Sequence, residues 1–265
     1  CCRRRRSRAI SSSLMSIGPQ FRSPRTAWAR AAGTWIDLLS GLAGTRAPAD
    51  LADQARKQNA RVKALLARDI QIREHFLKMQ PGQLAELASL AKCSPQARSF
   101  DWRSLGKVTA VRNQGACGSC WAFSTVGPLE GSELIRNNFT VDASEQEILN
   151  CSGAGGCTGG WWAFNHLDGT GTATEARYAY TGTDATCNPN IATPYHSVAW
   201  GYVDENGDIP SISQTKGALC KFGPLAVAVR ATEVFLAHTE GVFNENDPGP
   251  VNHGVTLVGW DDDRS

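Results

Sequence analysis

Cys117-Gly118-Ser119-Cys120 is the segment whose residue types and spacing most directly allow chemistry. Gly115 and Gly118 make a flexible turn, and Trp121 to Val126 is apolar and helix-compatible, so Cys120 is expected at a helix amino terminus. Unpaired amides and the positive end of the helix dipole favour a thiolate there, drawing a thiol down from about 8.5 toward the range of reactive cysteines. Two other chemistries fit Cys-x-x-Cys. A dithiol redox pair normally follows the first strand of a βαβ unit, and Leu105 to Asn113 is too polar and Gly-broken for a buried parallel strand. A zinc half-site completed by Cys151, Cys157 or His166 lacks a second tight pair, since five residues separate Cys151 from Cys157. On these residues alone all three readings stay open.

The nine cysteines crowd into one region, Cys117 to Cys187, with Cys1, Cys2, Cys93 and Cys220 scattered. An odd number leaves at least one thiol free in a monomer. If disulfides form, the compartment is oxidising and an unpaired cysteine among paired ones is a candidate reactive thiol.

The elements that must position this chemistry follow a leader. Residues 1–50 hold nine Arg against two Asp, leaving 18 basic and 23 acidic groups in the rest of a chain of net charge +2. Arg3 to Arg6 is read as a solvated tail rather than a nucleic-acid or membrane-surface site. Ala9 to Leu14 is too polar for a secretory signal core, and the Arg- and Ser-rich, acid-free stretch to Ile36 matches a transit peptide in composition. A start at Cys1, with the first Met at position 15, supports a simpler reading, sequence upstream of a true start or the remnant of an incomplete gene. No run approaches the roughly 18 apolar residues of a membrane span.

From Leu51 to Met79 good helix formers carry Val62, Leu65, Leu66, Ile70, Phe76 and Leu77 at spacings of three, four and seven, an amphipathic helix or two. Pro81-Gly82 interrupts it, and Leu84 to Lys92 reads as a short helix stopped by Pro95. Beyond Phe100 the chain is denser in Gly, Trp and Cys, with β-like runs at Leu225 to Val229 and Gly254 to Val258. With 42% hydrophobic and 20% charged residues, disorder throughout is excluded.

The segment Gln114-Gly115-Ala116-Cys117-Gly118-Ser119-Cys120-Trp121 resembles the nucleophile motif of the papain and cathepsin cysteine proteases. Further matches follow in that family's order: Asp101-Trp102-Arg103, Ser144-Glu145-Gln146-Glu147, Gly156-Cys157-Thr158-Gly159-Gly160, Gly223-Pro224-Leu225-Ala226-Val227 and Val251-Asn252-His253-Gly254-Val255. His253 lies 133 residues after Cys120, inside the family's window of roughly 130 to 150. The resemblance covers about Phe100 to Trp260. It implies an α+β, two-lobed fold, with a helical lobe carrying the nucleophile helix and a β-barrel-like lobe carrying the histidine, incomplete at the carboxyl end. Helices are expected to dominate Cys120 to Leu167 and strands the part after Ser197. The division is a basic leader at 1–49, a helical pro-segment-like region at 50–98 and a peptidase domain at 99–265.

The resemblance further implies an endopeptidase with no cofactor or metal. Cys120 is the nucleophile, His253 its ion-pair partner and proton shuttle, and Gln114 the oxyanion donor, acting with the Cys120 amide. Gly118, Gly159 and Gly160 are expected along the substrate backbone, and Trp161, Trp162, Ala228, Val251, Asn252 and Gly254 around an apolar specificity pocket. Core packing is the plain alternative for the two tryptophans. Cys117 pairs with Cys157 and Cys151 with Cys187, leaving Cys120 free, while Cys93 and Cys220 match no family partner. The partners implied are a peptide or protein substrate and a pro-segment or inhibitor protein, with no nucleic acid. The protein is expected as a monomer in a secreted, periplasmic or lysosome-like oxidising compartment. Asn138-Phe139-Thr140 and Asn150-Cys151-Ser152 fit the glycosylation pattern.

Three departures accompany the likeness. The family's third catalytic residue, an Asn after the histidine, falls beyond Ser265, so the chain as given is expected to be slow or inactive. Pro128 stands inside the expected nucleophile helix, where it deletes a hydrogen bond and should kink it. Residues 51–92 match a pro-region by position, not by motif. The rival class is a protease-like protein that binds peptides without cutting them.

Overall fold

Three helices begin where the sequence supplies a side-chain oxygen to take an early amide. Ser144 accepts the Glu147 N–H to start α2, Glu145–Cys151. Ser211 and Gln214 form a reciprocal capping box that starts α4, Ile212–Phe222. Thr232 accepts the Phe235 N–H ahead of the short α5, Glu233–Ala237. The longest helix, α1, Cys120–Arg136, has Ser119 at its cap position but no cap from that side chain. It runs on through Pro128. α3 spans Phe164–Gly169. The computed structural model describes residues 52–53, 55–65, 67, 92–244, 247 and 249–264.

The strands pair two by two. β1, Ser99–Asp101, lies antiparallel to β6, Gly259–Asp261; β2, Gly155–Gly156, to β3, Gly159–Gly160; and β4, Leu225–Val229, to β5, His253–Leu257. The architecture is α+β, and these pairs form no closed barrel among the described residues. Strands do not dominate beyond Ser197, because α4 and α5 stand among them.

One apolar core joins Trp121, Val126 and Leu129 of α1 to Ile148, Leu149 and Leu167. A second joins Ile135 of α1 to Trp102, Leu219, Leu257 and Trp260. Trp102 is fully buried and donates its indole N–H to the Leu219 carbonyl at 3.1 Å, so the largest side chain of that core has its polar atom satisfied.

Disulfides hold both regions. Cys117 is joined to Cys157 and Cys151 to Cys187, the pairs the resemblance implies. A third bridge, Cys93 to Cys220, ties the segment before β1 to α4 and pairs the two cysteines for which the resemblance supplied no partner. Cys120 is the free cysteine among the described residues. Three disulfides fit an oxidising compartment.

Residues 55–65 are helical, as the periodicity expects, and Ala55 is fully buried. Asn59 accepts the Tyr202 N–H at 3.0 Å and donates to the Asp204 carbonyl, while Arg61 pairs with Asp168. The leader 1–49, residues 68–91 and Leu66 of that pattern lie outside the described residues. Among the described residues no helix is long and apolar enough to cross a membrane.

Candidate active site

Cys120 is the first residue of α1, and the amides of Gly254, Trp121 and Cys120 itself favour the charged form of its thiol. The free helix end explains two of these donors, since the first amides of a helix have no intrahelical acceptor. β5 supplies the third, because Gly254 follows His253 on the strand that packs against α1.

Burial decides the resting protonation. It pushes the Cys120 thiol above its ordinary value, outweighing the three amides, which pull the other way. The thiol taken alone is therefore raised, not lowered as its place at a helix end suggests. Burial also pushes the His253 imidazole below its ordinary value. Each group resists carrying its charge singly, so the neutral thiol and neutral imidazole are the resting forms of the separate groups.

Gln114 donates its side-chain N–H to the Cys117 carbonyl at 2.9 Å. That bond, rather than one with the Cys120 amide, fixes the side chain, and an amide nitrogen carries a second N–H beyond it. The intervening loop is pinned from below: the Gly118 N–H reaches the Cys157 carbonyl at 2.7 Å, and a Cβ on Gly118 would stand 2.5 Å from that oxygen. Only glycine permits this approach. A Cβ on Gly160 would likewise enter the Trp121 ring, so Gly118 and Gly160 are both explained by packing, whatever else they do.

Other expected site residues divide into neighbours of Cys120 and residues held elsewhere. Ala228 pairs with Gly254 and Val229 with His253 in the β4–β5 ladder. Val251 is half-buried just before β5. Asn252 spends both ends of its amide on the Ala231 backbone, which closes the ladder. Trp161 and Trp162 lie side by side, ring centroids 4.5 Å apart and half-buried. Trp162 donates to Ser124 Oγ at 3.0 Å.

The dithiol and zinc readings lose their ligands, since Cys117, Cys151 and Cys157 are all bound in disulfides and His166 contacts Glu147 at 3.1 Å. Asn150, of the second glycosylation triplet, is occupied by Gln146, Tyr178 and Ala185.

Sequence reasoning missed the residues that link these parts. Ser124 Oγ accepts from Trp162 and donates to the Trp121 carbonyl, one turn into α1. Ser119 Oγ meets the Tyr180 hydroxyl at 2.6 Å, and that hydroxyl donates to the Gln114 carbonyl at 2.8 Å. Ser119 and Ser124 stand inside or beside the motif and were open to suspicion, whereas nothing in the sequence marks Tyr180.

Residues 96–265 match the family model described as papain family cysteine protease. Cathepsin L of Sarcophaga peregrina is 42% identical over 178 residues, covering 63% of this chain and 51% of that protein. Fruit bromelain of Ananas comosus is 33% identical over 172 residues, covering 63% and 48%. The chain thus spans about half the length of the curated relatives it matches. Among solved structures, the bromelain protease of Ananas comosus matches with a TM-score of 0.54 and 34% identity, over 62% of this chain and 75% of that one. A cysteine protease of Carica candamarcensis matches with a TM-score of 0.55 and 29% identity, over 62% and 78%. With an ordered set of motifs, an α+β fold and a free cysteine opening the helix that packs on the histidine strand, the chain belongs to the papain family of cysteine proteases.

Proposed function

We propose that this chain carries the catalytic apparatus of a cysteine endopeptidase, with Cys120 as nucleophile, His253 as acid and base, and Gln114 as oxyanion donor. The observation that carries the reading is the free Cys120 opening α1, the helix that packs against β5, the strand that His253 begins. Burial opposes a thiolate alone and an imidazolium alone, so proton transfer from sulfur to ring, which creates both charges together, is the route to a nucleophile. The thiolate then attacks the peptide carbonyl. The oxygen takes the negative charge, held by the Cys120 amide and the second N–H of Gln114. As the C–N bond breaks, the imidazolium gives its proton to the amine, leaving a thioester. Water, deprotonated by the imidazole, releases the acid and restores the thiol.

Gly159 and Gly160 would carry the substrate backbone, and Trp161, Trp162 and Ala228 an apolar side chain two places before the cut bond. Residues 99–265 would form the peptidase unit and 50–98 a pro-segment, in a secreted, periplasmic or lysosome-like protein. The test is hydrolysis of peptides with a bulky apolar residue at that place. Activity should vanish with Cys120→Ser and fall by roughly ten- to a thousandfold with Gln114→Ala. Full activity of the Cys120→Ser form sinks the mechanism, and binding without cleavage by the unaltered protein favours a peptide-binding role.

A further inference from the structure

The chain offers two Asn-x-Ser/Thr triplets of the kind glycosylated in secreted proteins, and the fold treats them in opposite ways. Asn150 lies inside α2, with both ends of its amide engaged. Its Oδ1 takes the Gln146 side-chain N–H and the Ala185 backbone N–H, each at 3.1 Å, and its Nδ2 donates to the Tyr178 hydroxyl at 3.2 Å. Cys151, the middle residue of the triplet, is bound to Cys187. Ser152, its last residue, is still in helical conformation and takes the Ala154 N–H on its hydroxyl. Positions two apart on a helix do not share a face, so the Asn150 amide and the Ser152 hydroxyl are turned away from one another.

Asn138 stands where α1 has ended. Asn137 closes the helix, and Asn138 takes a left-handed conformation, φ 50°, that turns the chain away from it. Asparagine is among the few residues other than glycine that adopt this conformation readily. Residues 136–140 are all exposed, and with them the whole triplet Asn138-Phe139-Thr140. The Lys107 ammonium donates to Asn138 Oδ1 at 2.8 Å and is itself anchored on the Leu134 carbonyl at 2.9 Å. An ammonium can bond only to the amide oxygen, so this contact fixes which end of the amide is which and keeps the nitrogen out of it. Sugar is attached to that nitrogen and leaves the oxygen in place, so the bond from Lys107 survives the modification.

We infer that Asn138 carries an N-linked oligosaccharide and that Asn150 does not. In the transfer, the bond between the anomeric carbon of the first sugar and a lipid-linked diphosphate breaks, a bond from that carbon to Asn138 Nδ2 forms, and the amide proton leaves with the diphosphate. The inference rests on passage through a secretory pathway, which the three disulfides support, and not on the peptidase reading. The 17 residues of α1 span about 25 Å, so a glycan just past its end stands clear of Cys120 at its start. The thiol stays reachable with the sugar in place.

The experiment is peptide mapping of the full chain, led by a secretory signal and secreted from insect cells. N-linked sugar is released enzymatically in heavy-oxygen water, which converts a glycosylated asparagine into a labelled aspartate. The expected result is label at Asn138 and none at Asn150. Asn138→Gln and Thr140→Ala should each lower the mass of the intact protein by one oligosaccharide, and Asn150→Gln by none. Thr140→Ser, which keeps a hydroxyl, should retain sugar on part of the chains. Iodoacetamide alkylation of Cys120 should be the same with and without the sugar, and a difference would contradict their separation along α1. An unmodified Asn138, or sugar on Asn150, in the secreted protein overturns the proposal; should a variant fail to fold, the map of the unaltered chain decides by itself. A non-reduced map of the same sample reads the disulfides. Their absence counts against the oxidising compartment, while the label at Asn138 still judges the site.

Discussion

Gly254 and Ser124 occupy space that two side chains cannot share: a Cβ on Gly254 would lie 2.6 Å from Ser124 Oγ and 3.3 Å from the Cys120 carbonyl oxygen. The missing side chain is what lets β5 bring the residue beside His253 up to the sulfur. Ser124 cannot simply rotate away, because its oxygen is buried and accepts the Trp162 N–H. Gly254→Ala is therefore expected to cost about 1–3 kcal/mol, either as a lost buried hydrogen bond or as a displaced strand. Denaturant unfolding checks this. Ser124→Ala in the same chain should recover part of the loss by vacating the contact.

Stability should fall as pH rises from about 4.5 to about 8, on account of Glu145. This carboxyl, at the first turn of α2, is only 5% exposed, and burial, with the like charges of Glu130 and Glu175, pushes it from its ordinary 4.5 up to about 8. The folded state holds the proton more tightly than the unfolded chain. Its contribution is thus intact below the unfolded value, declines between the two values and is flat above the folded one. The full decline is on the order of a few kcal/mol. Glu130 shifts the same way, while His253, kept neutral by burial, works in the opposite direction below its ordinary value. Unfolding free energies of Glu145→Gln across this range should show a distinctly shallower fall; an unchanged slope would mean that Glu145 is not the group responsible.

The Cys93 to Cys220 bridge closes a sequence separation of 127 residues beside the Trp102 and Leu219 core. Loop closure of that length restricts the unfolded chain by about 3–5 kcal/mol. The paired change Cys93→Ala with Cys220→Ala should lower the unfolding free energy by that order while leaving iodoacetamide alkylation of Cys120 unaltered. Peptide mapping without reduction should recover the bridge itself, and finding either cysteine alkylatable in the native protein would contradict it.

Lys216 is held at the other end of the same core. Its ammonium lies 2.6 and 2.8 Å from the two oxygens of Asp262 and 5.3 Å from the centre of the Trp260 ring, with only a tenth of its side chain exposed. Lys216→Met keeps the stem and removes the charge, leaving a partly buried carboxylate without its cation. A loss of about 1–3 kcal/mol is expected in thermal or denaturant unfolding, reduced when Asp262→Asn is added, because the uncompensated charge then goes too.

Local chemistry was legible in the residues themselves. Gly118, Ser119 and the apolar run from Trp121 place a helix start at Cys120; Ser144 with Glu147 marks the start of α2; and short β-like runs set β4 and β5 to within a residue of the expected bounds. α4 was legible too, in the Ser211 to Gln214 capping box, yet the expectation of strands beyond Ser197 passed over it. All these signals act within a few residues, where hydrogen-bond geometry and side-chain period are read directly from order. The Cys93 bridge, the Gly254 approach to Ser124 and the Tyr180 hold on Ser119 join positions 127, 130 and 61 residues apart. No periodicity encodes such pairs. Burial settled the last question against the local rule: a helix terminus pulls a thiol toward ionisation, but the packing of β5 over it removes the water that a lone thiolate needs, and only the tertiary structure decides which effect is larger.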